Sequence, residues 1–203
     1  MAELGDALRA RTLWLVCHDQ LPDDRLVVGR QEVSVRASPR GRYDRLGNAL
    51  PSSGEVEHHC SPLRRAVQTA TRLSASLKWE TQSVITARAY GDWEGRDWDT
   101  LRSEDPARCE TFFNNPGAAS SPGGETLSDV EERAQAYLTS LSNRDDWTDI
   151  VAVTHSELIQ AAICAVLNVP LNAAPRIRVD ALSITRLGRD WMGWHLLSTN
   201  HTP

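Results

Sequence analysis

Ser61-Pro-Leu-Arg-Arg-Ala-Val-Gln-Thr-Ala70 opens with a serine able to cap a helix and a proline suited to its first turn, where a missing N–H costs nothing. The segment before it, Glu55 to Cys60, reads as a short strand, and the helix is expected to run to about Ser76. Strand, tight turn and helix follow one another without a spacer. Two arginines, Arg64 and Arg65, stand in the first helical turn, where the N–H groups and the helix dipole favour an anion.

The same unit recurs elsewhere in the chain. Thr12 to Val16 and Asp149 to Thr154 are short apolar runs that read as buried strands, and a histidine follows each: His18 after Cys17, and His155 directly. After His155, Leu158-Ile159, Ala161-Ala162-Ile163 and Val166-Leu167 keep helical spacing until Pro170. Ser38-Pro39 starts a shorter helix near Arg42 to Leu50. Asn114 to Gly124 is rich in turn formers and reads as a loop, and Thr126 caps a helix to about Leu141. Ala181 to Leu187 and Trp191 to Leu197 read as a hairpin turning at Gly188-Arg189-Asp190. Alternating strands and helices predict an α/β sandwich with a mainly parallel sheet, in which ligands sit beyond the carboxyl ends of the strands. His18, Arg65 and His155 all fall at such ends.

Length and composition fit this reading. The chain has 203 residues, 40% apolar and 24% charged, the mix of one folded domain spanning 1–203 and not of a disordered or fibrous chain. Its formal charge of −5 offers no basic field for nucleic acid. No apolar run approaches the length of a membrane span. Met1 to Arg11 carries Glu3 and Asp6 and does not read as a secretory signal, so a cytoplasmic location is expected. Cys17, Cys60, Cys109 and Cys164 are irregularly spaced and are expected to be reduced. A metal cluster of Cys17, His18, Asp19, His58, His59, Cys60, His155 and Glu157 is disfavoured, because His58 and His59 alternate across a strand.

The order of these motifs resembles the histidine phosphatase superfamily, with its phosphoglycerate mutase-like three-layer α/β/α fold. Leu13 to Asp19 is similar to the family strand ending in Arg-His-Gly, which places His18 on the nucleophile. Ser61 to Ala70 resembles Ser-x-Leu-x-Arg-Ala-x-x-Thr-Ala, which places Arg65, not Arg64, on the phosphate-binding arginine. Tyr90 to Gly95 is similar to Gly-x-Trp-Glu-Gly with the residue before it, Gly123 to Thr126 to Gly-Gly-Glu-Ser, and Val153 to Ser156 to the second histidine motif, centred on His155. The resemblance implies hydrolysis of a small phosphorylated metabolite through phosphorylated His18, with no metal or cofactor and with a homodimer allowed.

Departures from the family pattern bear on that activity. Cys17 replaces the arginine before the nucleophile, Asp19 replaces the glycine after it, and Ser156-Glu157 replaces Gly-Gly. Counting four back from Gly91, where the family carries its general acid, gives Ala87. Lost charge-assisted contacts and a lost proton donor predict weakened turnover. Glu157 is the expected replacement acid. The candidate set is His18, Arg65, His155 and Glu157 for chemistry, with Ser61, Arg64, Cys17 and Asp19 for substrate contact. Two alternatives stay open: a repurposed enzyme acting on a non-phosphorylated substrate, and a non-catalytic binding or regulatory pseudoenzyme. Trp79, Trp98 and Trp147 are candidates to line a substrate opening.

Overall fold

The computed structural model describes residues 11–52 and 55–203. The stretch read above as free of a secretory signal lies outside them, apart from Arg11. Among the described residues one six-stranded sheet runs in the order β3-β2-β4-β1-β5-β6. Its strands are β1 (Arg11–Cys17), β2 (Val56–Cys60), β3 (Glu80–Thr81), β4 (Asp149–Thr154), β5 (Ile184–Asp190) and β6 (Gly193–His201). The first four pair in parallel, and β5 and β6 add an antiparallel hairpin at one side.

The apolar runs of β1 and β4 are explained by burial on both faces. Leu13, Leu15 and Cys17 point to one core with Ile150 and Ala152. Val16 points to the other with Val151 and Val153. Helices α5 (Leu127–Ser142) and α6 (Ser156–Leu167) cover the first face through Val130, Ala134, Leu138, Leu158, Ile159 and Ile163. Helices α1 (Arg40–Ala49) and α2 (Arg64–Leu73) cover the second through Tyr43, Leu46, Ala66 and Ala70. Each fully buried Leu or Ile contributes about 1.5–3 kcal/mol, so these two faces dominate the driving force. The α/β/α layering is the expected one.

Several boundaries differ from expectation. Helix α2 begins after Leu63 and its first residue is Arg64, with no side-chain cap. Ser61 is committed elsewhere, as described below. The helix ends at Leu73 instead of continuing to Ser76. The hairpin turns at Trp191-Met192, and Gly188, Arg189 and Asp190 lie within β5. A further pair of helices, α3 (Trp98–Glu104) and α4 (Pro106–Asn114), was not foreseen. Their signals are Asp97 and Asp105, whose carboxylates accept from first-turn N–H groups, and Pro106 in the first turn of α4. This pair carries Leu101, Cys109 and Phe112, which pack with Val27 and Trp93 into a separate small core at the carboxyl end of the sheet.

Candidate active site

The carboxyl ends of β1, β2 and β4 lie side by side. The His18 N–H donates to Thr154 O at 3.0 Å and the Ser61 N–H to Val153 O at 2.9 Å, which extends the parallel ladder past the strands. His18, Ser61 and His155 are thereby brought together by backbone pairing, with α2 and α6 starting just beyond.

The His18 imidazole has a defined tautomer. Its Nδ1 lies 2.7 Å from the Asp19 backbone carbonyl, which accepts but cannot donate, so Nδ1 carries the hydrogen. Nε2 is left with its lone pair and accepts from Arg65 Nε–H at 3.2 Å. Burial, reinforced by the Arg65 charge, lowers the His18 pKa to about 4. The ring is therefore neutral at pH 7. His155 sits edge-on to it, with centroids 5.1 Å apart and planes at 62°. Burial and the neighbouring His18 and Arg65 hold His155 well below the usual imidazole range. Its Nε2 lies 2.7 Å from Ser61 Oγ, and its Nδ1 meets no hydrogen-bond partner among the described residues.

Arg65 is 3% exposed. Besides His18, its guanidinium donates to the carbonyls of Gln31, at 3.1 Å, and Gly29. Burial depresses its pKa to about 10, which still leaves it charged at pH 7. Gly29 has φ +52° and an added Cβ would overlap the Glu94 carboxylate, so the carbonyl that Arg65 uses depends on glycine there.

A cavity of about 160 Å³ opens over this group, lined by His18, Arg65, Ala87, Arg88, His155 and Glu157, with Tyr90, Trp98 and Val27–Gly29 as its roof. A larger one of about 550 Å³ adjoins it, with His18, Leu21 and Ser156 lining both. A third, about 420 Å³ and lined by His58, Leu73 and Trp79 among others, shares no residue with either. Of the three tryptophans proposed for an opening, only Trp98 is at the site; Trp147 is buried against Trp194.

The four residues expected to contact substrate differ in outcome: Cys17 and Asp19 line the larger cavity, but the Asp19 carboxylate and the Ser61 hydroxyl are engaged within the protein and Arg64 lies outside both linings. Asp19 is fully buried, and its carboxylate accepts from Ser38 N and Oγ at 2.7 Å, Tyr43 Oη at 2.8 Å and Gln20 N at 2.8 Å. It ties the first motif to α1 and presents no free oxygen to a ligand. Burial alone would raise its pKa, but these donors outweigh it and hold the carboxyl below the usual range. Arg64 is exposed and absent from the lining, and its backbone N–H donates to Glu32 Oε2. Cys17 is buried, and burial pushes its thiol up to about 12, so it is neutral and adds no cation. Ser61 orients His155 instead of facing solvent. Glu157 does line the cavity, as expected.

The residue that sequence reasoning missed is Arg88. It is 2% exposed, and its Nη1 lies 3.3 Å from Glu157 Oε1. A buried arginine in an irregular segment has no periodicity to reveal it; the one clue is its position directly after Ala87. The site thus holds Arg65, Arg88 hydrogen-bonded to Glu157, and two neutral histidines.

A family model described as histidine phosphatase superfamily, branch 1, matches residues 13–202. The chain belongs to the histidine phosphatase superfamily. Among relatives of this chain, the adenosylcobalamin/alpha-ribazole phosphatase of Escherichia coli is 25% identical over 172 residues, covering 83% of this chain and 85% of the relative. Phosphoserine phosphatase 1 of Hydrogenobacter thermophilus is 26% identical over 151 residues, covering 71% and 72%. In fold it is similar to mycobacterial glucosyl-3-phosphoglycerate phosphatase, with a TM-score of 0.82, 23% identity and coverage of 95% and 100%. No described helix is long and apolar enough to cross a membrane.

Proposed function

We propose that this histidine phosphatase hydrolyses a small phosphomonoester through phosphorylated His18, with low turnover. One observation carries the reading: His18 is neutral, its Nδ1–H is tied to the Asp19 carbonyl, and its Nε2 lone pair is held beside Arg65. The Nε2 pair forms the N–P bond while the P–O bond to the leaving group breaks. Arg65 and His155 stabilise the transferring phosphoryl group, a role supported by their position in the cavity lining with His18. Glu157 supplies the proton to the leaving oxygen, and water then attacks phosphohistidine.

Low turnover follows from two departures. A single charge-assisted contact to phosphate is worth on the order of 1.5–3 kcal/mol, and Cys17 provides none. Ala87 lines the cavity without a proton to give, and loss of a general acid costs ~10²–10⁴-fold in rate. Glu157 restores part of that.

The test is to incubate the protein with a panel of phosphodonors and look for phosphohistidine at His18 by mass spectrometry, with His18→Ala as control. Label at His18 and release of phosphate are expected. Neither label nor phosphate from any donor would overturn the reading. A second reading, a module that binds phosphorylated ligands without turning them over, is favoured by one observation. Arg65 commits hydrogen bonds to Gln31 and Gly29 carbonyls, which reduces what it offers a phosphoryl group. It predicts tight orthovanadate or phosphate binding with no label.

A further inference from the structure

Arg88 is held on every side. Its Nε–H donates to the Glu125 carbonyl at 2.8 Å, Nη2 to the Ala119 carbonyl at 2.9 Å, and Nη1 to Glu157 Oε1 at 3.3 Å. The guanidinium lies 4.6 Å from the Phe112 ring centre and 5.4 Å from that of Tyr90. Arg88 therefore cannot swing out to clasp a phosphoryl group, although it stands in the cavity wall. Its one side-chain partner is Glu157. Tyr90, which also lines the cavity, lowers the proton affinity of that same carboxyl.

We propose that Arg88, assisted by Tyr90, is a positioning residue that makes Glu157 a transferable acid by fixing its carboxyl and stabilising the carboxylate formed when the proton leaves. This rests on the hydrolase reading above. As the P–O bond breaks, its electron pair goes to the leaving oxygen, which takes the Glu157 proton; the carboxylate left behind gains full strength in its bond from Arg88, with Tyr90 beside it. In the second half the same carboxylate can accept a proton from the attacking water. Burial raises the proton affinity of Glu157, and Arg88 opposes it. The other ionisable groups facing this carboxyl are Glu125, which raises its proton affinity, and the cavity-lining His18, His155 and Arg65.

The arrangement gives Arg88 a signature that a purely structural residue lacks. An alkyl phosphate needs its leaving oxygen protonated, whereas p-nitrophenolate leaves without help. The dependence of kcat/KM on pH is measured for glycerol phosphate and p-nitrophenyl phosphate with wild type, Arg88→Met, Arg88→Lys, Tyr90→Phe and Glu157→Gln, alongside His18 labelling in each. With glycerol phosphate, removing the cation in Arg88→Met moves the high-pH limb upward by about one to three units and lowers the plateau. Arg88→Lys returns it toward wild type, Tyr90→Phe shifts it less in the same direction, and Glu157→Gln removes the limb. With p-nitrophenyl phosphate kcat/KM of Arg88→Met, Arg88→Lys and Tyr90→Phe stays within about threefold of wild type, since departure of p-nitrophenolate, the step it reports, needs no proton donor. An unmoved limb in Arg88→Met, a limb that persists in Glu157→Gln, or equal losses on both substrates would overturn the proposal. If Arg88→Met does not fold, an unmoved limb in Tyr90→Phe overturns it instead. Label at His18 with an unmoved limb removes only the role of Arg88, whereas no label in wild type removes the hydrolase reading as well.

Discussion

Replacing Asp19 tests whether the acid beside the nucleophile serves ligand or fold. The carboxylate is fully buried and accepts four hydrogen bonds at 2.7–2.8 Å, two from backbone N–H groups, one from the Ser38 hydroxyl and one from Tyr43, itself 2% exposed. In Asp19→Asn one oxygen becomes an NH₂ donor that faces existing donors, so at least one side of the network loses its acceptor. A hydrogen bond to a charged group is worth about 1.5–3 kcal/mol, and an orphaned buried donor adds about 1–3 kcal/mol. These terms share one carboxylate and do not add in full. We expect a loss of about 3 kcal/mol, which for a chain of this size lowers Tm by roughly 6–12 °C. The assay is a thermal melt of both proteins at pH 7, repeated in acid. Because the folded-state pKa of Asp19 is depressed, its contribution is present above the ordinary Asp range and disappears as pH falls through the folded value, so the two melts converge in acid. An unchanged Tm at pH 7, together with a loss of phosphate binding, would refute the assignment of Asp19 to the fold.

Three further outcomes follow from the same geometry. Protonation of His18 abolishes its nucleophilicity, so kcat/KM falls as pH drops through about 4; a low-pH limb near 6.5, found with p-nitrophenyl phosphate, would contradict its burial beside Arg65. Cys17 is buried, and its thiol is pushed up to about 12, so a thiol reagent should leave it unlabelled in the native protein at pH 8 and modify it after denaturation; fast native labelling read by peptide mapping would show otherwise. Leu158→Ala removes a side chain 1% exposed in the core that α6 shares with α5 and β1 and should cost about 2–5 kcal/mol in a urea titration, while a loss under 1 kcal/mol would mean that this face is not tightly packed.

How much of this was legible in the amino-acid order differs from element to element. The buried strands showed as short apolar runs because both faces of a parallel sheet are covered. Thr126 showed as a cap because its hydroxyl accepts from Asp129 N–H, completing a capping box. Helices α3 and α4 escaped because each is too short for an apolar stripe to repeat, although Asp97, Asp105 and Pro106 mark their starts. Ser61 misled for a local reason. A serine before Pro62 has the look of a cap, but in the folded chain its hydroxyl is 2.7 Å from His155, a residue 94 positions away.

The sequence by itself determined the α/β sandwich and the convergence of His18, Arg65 and His155, because all three sit where strands end and parallel pairing is set by the apolar pattern. Only the tertiary structure decided what the extra acids and cations do. Asp19 turns into α1, Arg64 stays outside, and Arg88 enters the cavity wall to meet Glu157. A side chain's charge is visible in sequence, but the partner that compensates it is chosen by packing across distant segments, since burying a charge unpaired costs more than the fold can offset.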